Sequence, residues 1–112
     1  MINEVKPLVV RDDKTGIEYT LEFNRESVRF AENHGFVLDE VSKYPMTRVY
    51  ELWYYAFRMH HKSVSREKTD ALLDELGGVK DTPAAVFERL GALYTEGFNT
   101  LGGENPTVTV TL

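Results

Sequence analysis

The sequence predicts a small α+β domain in which an N-terminal β-hairpin packs on a bundle of about four helices. Three observations predict this fold class. Apolar and polar residues alternate from residue 17 to residue 23, apolar residues repeat at helical spacing later in the chain, and glycine or proline stands at the ends of these segments. The 112 residues are the usual length of one domain. We expect residues 1–103 to form that domain and residues 104–112 to be a C-terminal tail or an edge strand.

The hairpin is predicted at the start of the chain. Residues 8–10 form a short run rich in β-branched side chains, and a turn-rich segment, 12–16, follows it. Gly16 can supply the positive φ that such a turn needs. The second strand alternates with a period of two, which is typical of a strand with one buried face. The side chains that we expect on the core side are Ile17, Tyr19, Leu21 and Phe23.

Capping residues predict where two of the helices begin and end. Asn24 is a good N-cap for a helix that starts at Arg25, and Gly35 follows as its left-handed terminating residue. Val28 and Ala31 are expected to face the core from this helix. A later helix follows Ser65 and ends at the glycine pair 77–78. The apolar edge of that later helix is Leu72, Leu73 and Leu76.

The central helix is predicted from about Thr47 to Lys62. Apolar side chains recur along it at the spacing of one helical stripe, which predicts a single face in the core. That stripe consists of Val49, Leu52, Trp53, Ala56, Phe57 and His60.

The last helix is predicted to begin at Thr82 as N-cap, with Pro83 in the first helical position, where its missing N–H costs nothing. Gly91 and Gly97 weaken this helix, and we expect them to let another backbone approach closely. The glycine pair 102–103 is expected to end it. The apolar face of this helix is Val86, Phe87, Leu90, Leu93, Tyr94, Phe98 and Leu101.

Composition excludes several function classes. The chain has no cysteine, so disulfides and thiolate metal sites are excluded, and this fits a reducing cytoplasm. It shows neither a signal peptide nor an apolar run long enough to span a bilayer, so we expect no membrane partner.

His60 and His61 are neighbours and would point about 100° apart on a helix, so they are not a predicted metal site. No catalytic motif occurs, and we expect a protein that is not an enzyme and needs no cofactor.

Nucleic acid is the alternative that the sequence leaves open. The net charge of −5 disfavours a general DNA binder. However, residues 47–76 also resemble a helix-turn-helix, and a cluster of cations falls within residues 58–76. Acidic residues on the second of these helices count against recognition of DNA. The cations are Arg58, Lys62, Arg66 and Lys68.

Aromatic crowding of the central helix gives the predicted binding site. Beyond the core stripe this helix carries Tyr50, Tyr54, Tyr55 and Met59, so apolar or amphipathic side chains surround most of it. Tyrosine, tryptophan and methionine are favoured at protein interfaces. We predict that these four residues contact a partner protein. The competing interpretation is that the hairpin and the other helices cover all of them.

Several segments, taken together in order and spacing, resemble the tail assembly chaperones of Firmicutes siphophages and prophages. The resemblance extends over about residues 8–98, and it is one of pattern, because none of the motifs is catalytic. The residues that carry it are Tyr19-Thr20-Leu21-Glu22-Phe23, Arg25-Glu26-Ser27-Val28, Glu32-Asn33-His34-Gly35-Phe36, Pro45-Met46-Thr47, Ala56-Phe57-Arg58-Met59-His60-His61 and Leu90-Gly91-Ala92-Leu93-Tyr94.

The resemblance implies a function in the cytoplasm of the bacterial host. Members of that family bind the long, helical tape measure protein and keep it soluble while tail tube subunits assemble around it. Many relatives are also made in a longer, frameshifted form that recruits the tail tube protein. The implied partners are therefore the tape measure protein and the tail tube protein, with a homo-oligomer as a further expectation. Residues 104–112 do not match the pattern expected of that family.

Overall fold

The structure is a computed structural model that describes residues 5–98. It confirms the predicted fold class, since an N-terminal antiparallel hairpin packs against helices that form the rest of the described chain. The predictions for residues 99–112, including the end of the last helix at 102–103 and the terminal strand or tail, lie outside this range. The elements are β1 (Leu8–Asp12), β2 (Ile17–Leu21), α1 (Arg25–Asn33), a 3-10 turn (Leu38–Glu40), α2 (Pro45–Phe57), α3 (Arg66–Leu76), α4 (Gly78–Asp81) and α5 (Ala84–Gly97).

The hairpin has the predicted alternation, with one exception. Leu8 lies opposite Leu21, and Asp12 lies opposite Ile17. Tyr19 and Leu21 are buried as predicted, and so is Phe23 just beyond the strand. Ile17 was expected in the core but is 48% exposed, although Asp12, which lies directly opposite it at the turn end of the hairpin, is buried. The prediction for Ile17 was therefore wrong.

The first helix follows the sequence prediction closely. The Asn24 side chain accepts a hydrogen bond from the Ser27 N–H (2.8 Å), and the Ser27 hydroxyl accepts one from the Asn24 N–H (2.9 Å). This reciprocal capping box satisfies two N–H groups that the first turn would leave unpaired. Gly35 follows the helix with φ +88°, as predicted. Val28 is buried on the core side of this helix. Capping and the terminating glycine thus fix the position of α1.

The central helix α2 is shifted from its predicted range of 47–62. It begins at Pro45, whose missing N–H is harmless in the first turn, and ends at Phe57. The early end has a structural cause, because the Ala56 carbonyl accepts a hydrogen bond from the Glu22 N–H of the chain following β2 (3.0 Å). His60, which was predicted to continue the core stripe, is exposed. Its placement on the core stripe was therefore wrong.

The core is centred on Trp53 of α2. This side chain has no exposed surface, and its indole N–H donates to the Thr69 carbonyl of α3 (2.7 Å). The buried polar atom of the largest core side chain is thereby satisfied. The other fully buried apolar side chains (Leu21, Ala31, Ala56, Leu73 and Leu90) come from the hairpin and from four of the helices.

The α3–α5 region departs from the prediction at one cap. Ser65 caps α3, and Gly77 ends it with φ +122°, as expected. The four-residue helix α4 was not predicted, and its last turn is closed by a hydrogen bond from the Thr82 N–H to the Gly78 carbonyl (3.2 Å). Thr82 therefore ends α4 and does not cap α5, whose cap position is Pro83. The proposed N-cap role of Thr82 was wrong.

The two glycines of α5 differ. A Cβ on Gly97 would lie 2.7 Å from the Val28 side chain and 3.0 Å from the Phe23 Cβ, so this glycine allows the close approach that was predicted. A Cβ on Gly91 would have no neighbour within 4 Å, so the same prediction was wrong there. The close contact at Gly97 holds α5 against α1.

Candidate functional site

The four predicted contact residues do not form one surface, and Tyr55 is part of the core. Its side chain is only 6% exposed, and its ring lies 6.0 Å from that of Phe30 and 5.9 Å from that of Phe36. The helix α1 and the segment after it therefore cover the side of α2 that carries Tyr55. Its assignment to a partner-binding surface was wrong.

Tyr50 and Tyr54 are half-buried beside α3. The Tyr50 hydroxyl donates a hydrogen bond to the Asp74 carboxylate, and this bond raises the pKa of Tyr50 to about 12. The Tyr54 ring lies 5.8 Å from the guanidinium carbon of Arg66. Both tyrosines therefore take part in the packing between α2 and α3, and each keeps part of its surface exposed.

Met59 is the predicted contact residue that lies in a concave surface. This surface, which we call the α1–α2 cleft, has a volume of about 250 Å³ and separates α1 from the turn that follows α2. Because α2 ends at Phe57, the next residues turn toward α1 and bring Met59 to the cleft. The cleft is lined by Asn24, Glu26, Ser27, Arg29, Phe30, Asn33, Arg58, Met59 and Lys62.

Phe30 is held in place on the α1 side of the cleft. The guanidinium carbon of Arg58 lies 3.9 Å from its ring centroid, which is a cation–π contact. The His34 ring lies 4.2 Å away. Phe30 and Met59 therefore give the cleft an apolar component. The Phe30 ring is fixed by its neighbours, whereas the flexible thioether of Met59 can adapt to a partner.

Cations surround this apolar component. Arg29, Arg58 and Lys62 line the cleft, and Arg25 lies one helical turn before Arg29. Within residues 5–98 none of these four side chains takes part in an ion pair. Glu26 is the one carboxylate among the residues that line the cleft. In a chain with a net charge of −5, this cluster is a local positive surface.

Two of these cations were predicted to belong to a different cluster. Arg58 and Lys62 were expected to join Arg66 and Lys68 as a patch for DNA. In the structure, Arg66 is paired with Asp70 (2.9 Å) and Lys68 is bonded to the buried Asp12 (2.8 Å). Two of the four cations are thus neutralised within the molecule, and the other two face the α1–α2 cleft.

One feature of the sequence indicated part of this positive surface. Arg25 and Arg29 are four residues apart in the predicted first helix, and side chains at that spacing share a face. The position of Arg29 beside Arg58 and Lys62 in one cleft could not be predicted from the sequence. It depends on the early end of α2, which a hydrogen bond from a distant part of the chain imposes.

The two adjacent histidines attach the hairpin to the end of α2. The Nε2 atom of His61 accepts a hydrogen bond from the Thr20 N–H (2.9 Å), and the Nε2 atom of His60 lies 2.8 Å from the Glu22 carboxylate. Burial, with a smaller contribution from His60, lowers the pKa of His61.

Across the described residues no group of three or more potential metal ligands occurs. No helix in that part of the chain is both long and apolar enough to cross a bilayer.

Comparison with known proteins gives one match. A family described as Domain of unknown function (DUF5055) matches residues 2–110, nearly the whole chain. Searches of curated proteins and of solved structures gave no match.

Proposed function

Because the chain belongs to the DUF5055 family, whose function is unknown, we propose its function from the α1–α2 cleft. The protein binds helical segments of another protein at this cleft and acts as a phage tail assembly chaperone for the tape measure protein. The observation that carries the proposal is the set of three cations (Arg29, Arg58 and Lys62) that line the cleft around Phe30 and Met59 without an ion pair among the described residues. The tape measure protein as client comes from the resemblance of residues 8–98 to siphophage and prophage tail assembly chaperones.

The size of the cleft favours a protein partner over a small substrate. Its 250 Å³ is below the ~300–1,000 Å³ of typical ligand pockets. An amphipathic helix could insert one or two apolar side chains between Phe30 and Met59 while its flanking carboxylates meet Arg29 and Lys62. This is the helix-in-groove mode of recognition, with methionine adapting to clients of different sequence.

A small cleft also suits a chaperone that must be released. One site of this kind buries little area and gives modest affinity. A tape measure protein is long, so many copies of the chaperone can bind along it. If these copies also associate with one another, the higher effective concentration raises the overall affinity of the assembled chaperone for its client without any new type of contact at the cleft. Tail tube subunits can then displace the copies one at a time.

The direct experiment is co-expression of this chain with the long coiled-coil protein that we expect to be encoded next to it. We expect the wild-type chain to co-purify with that protein and to keep it in the soluble fraction. Met59→Ala should weaken binding by about 2 kcal/mol or more if Met59 is a true anchor. Its matched control is Met46→Ala, because Met46 is 68% exposed and lies outside the cleft.

The outcomes separate the two parts of the proposal. If the wild-type chain neither binds the long protein nor keeps it soluble, the chaperone function is wrong. If the wild-type chain binds but Met59→Ala and Met46→Ala bind equally well, the cleft is not the site. The surrounding DNA gives a further check: we expect an overlapping second reading frame, entered at a slippery run, followed by a very long coiled-coil gene.

A further inference from the structure

The two edges of the hairpin differ in their hydrogen bonding. On β2, the Thr20 N–H donates to His61, and just beyond it the Glu22 N–H donates to the Ala56 carbonyl. These N–H groups therefore point away from β1. In an antiparallel pair, residues directly opposite each other share the same orientation. Val9, which lies opposite Thr20, must then direct its own N–H and C=O away from β2.

The outer edge of β1 is consequently open. The same alternation gives Arg11, opposite Glu18, the outward orientation of Val9. Within residues 5–98 no backbone hydrogen bond of Val9 or Arg11 reaches another element, and Val9 is 56% exposed. The end of α2 covers the edge of β2. On the other side α5 lies close to β1, but within residues 5–98 no backbone group pairs with the outward N–H and C=O groups of Val9 and Arg11. An open edge of this kind is a template for a further strand.

The chain itself contains a segment with the pattern of such a strand. Residues 107–112 read Thr-Val-Thr-Val-Thr-Leu, an uncharged alternating sequence in which five of the six residues are β-branched. This segment lies outside the described residues. We propose that residues 107–112 pair with the outer edge of β1 of the same chain and form the third strand of the sheet.

The end of α5 is close enough for this pairing. A Cβ on Gly97 would lie 3.0 Å from the Phe23 Cβ, and Phe23 is two residues beyond Leu21, the partner of Leu8. The described chain therefore ends near that end of the hairpin at which β1 begins and β2 ends. Residues 99–106 can span up to about 26 Å when extended. A strand on the outer edge of β1 would lie two strand spacings, about 10 Å, from β2, so the tail can reach the beginning of this edge.

The alternation of the tail also matches the two faces of the sheet. On β1, Val10 is buried and Leu8 is half-buried on the core side, while Val9 faces outward. In a third strand, Val108, Val110 and Leu112 would share one face and the threonines the other. With the first set inward, the tail would add apolar cover beside Leu8 and place its hydroxyl groups on the solvent side.

Amide hydrogen exchange of the full-length chain, followed by NMR, tests the proposal. Pairing should slow the exchange of the Val9 and Arg11 amides by about tenfold or more relative to unpaired amides. Single proline substitutions at positions 108, 109, 110 and 111 then probe the tail. Successive N–H groups of a strand point to opposite sides, so we expect two alternate prolines to abolish the protection and the other two to leave it largely intact.

Several controls and outcomes keep the test decisive. The Thr20 amide is bonded to His61, so its exchange should not change in any of the four variants, which verifies that the hairpin remains folded. Fast exchange of Val9 and Arg11 in the wild-type chain would overturn the proposal. Equal effects of all four prolines would also overturn it. Protection that disappears on dilution would assign the edge to a second copy and contradict pairing within one chain.

Discussion

Charged side chains are paired on the hairpin–α3 side of the molecule and unpaired around the α1–α2 cleft. On the first side, Lys68 bonds to Asp12 (2.8 Å) and Lys14 to Glu75 (2.9 Å). Around the cleft, Arg29 and Lys62 have no ion-pair partner among the described residues. The same residue types therefore serve the fold in one region and remain available to another molecule in the other. A count of cations along the sequence does not separate these roles.

The paired side contains a charge that the fold must neutralise. Asp12 is only 2% exposed, and its carboxylate accepts hydrogen bonds from the Lys68 ammonium and from the Lys14 N–H. Above all, the hydrogen bond from Lys68 lowers the pKa of Asp12. A buried carboxylate without such partners would destabilise the fold. The cleft cations remain in water, so they need no partner within the monomer.

The largest expected effect comes from the residue beneath the cleft. Tyr55→Ala should lower the free energy of unfolding by about 3–5 kcal/mol, because it removes a buried ring that contacts Phe30 and Phe36. Urea denaturation measures the change. Tyr44→Ala is the control, since Tyr44 is 57% exposed, and it should change the stability by less than about 0.5 kcal/mol. Equal stability of the two variants would contradict the burial of Tyr55.

The next effect compares one lysine from each region. Lys68→Ala should lower the urea midpoint because it leaves the Asp12 carboxylate buried without its cation. Lys62→Ala should leave the midpoint unchanged within error. Because the pKa of Asp12 is lowered in the folded state, its pair with Lys68 stabilises the fold fully at pH values above the ordinary aspartate pKa of 3.8. This stabilisation is lost as the pH falls through the pKa that Asp12 has in the folded protein. The difference between wild type and Lys68→Ala should therefore shrink in strong acid, and a difference that grows there would be contrary to this account.

A smaller effect concerns the contact that holds α1, and hence Arg29, against α5. Gly97→Ala should cost about 1–3 kcal/mol through overpacking against Val28 and Phe23. Gly91→Ala lies on the same helix with open space around it and should stabilise the protein by up to about 1 kcal/mol. Thermal unfolding of both variants gives the comparison. Two changes of the same sign would mean that the close approach at Gly97 is not real.

The smallest effect is a pH dependence at the junction of the hairpin and α2. Since burial lowers the pKa of His61, the neutral ring is favoured in the folded state, and it must be neutral to accept from Thr20. This stabilisation is complete above the ordinary histidine pKa of 6.5 and declines as the pH falls toward the folded value. His61→Gln keeps an acceptor but does not titrate. Unfolding measured at about pH 8 and about pH 5 should show a fall in the wild type that is reduced in the variant.

Local rules predicted much of the fold from the sequence. Asn24 and Gly35 identified both ends of α1, Ser65 identified the start of α3, and the alternation around Tyr19 placed β2 correctly. Each of these depends on neighbours within a few residues. Such signals can be read without knowing the tertiary structure.

The errors arose where distant residues intervene. α2 ends early because Glu22 bonds to Ala56, and Thr82 ends α4 where it was expected to cap α5. The candidate site suffered most, because Tyr55 is covered by α1 and only Met59 of the predicted set lines the cleft. Nothing local distinguishes Tyr55 from Tyr54. Which of two adjacent tyrosines faces a neighbouring helix is decided by tertiary packing.

The most direct test of the central claim measures how two charge-reversed variants bind the tape measure protein. One carries Arg29→Glu and Lys62→Glu in the cleft, and the other carries Lys43→Glu and Lys80→Glu at exposed positions outside it. Both variants have the same net charge, so a general electrostatic effect would weaken them equally. We predict that the cleft variant binds about tenfold or more weakly than the second variant, with both as stable as the wild type. Equal affinities of the two variants would contradict the claim that the unpaired cations of the α1–α2 cleft bind the partner.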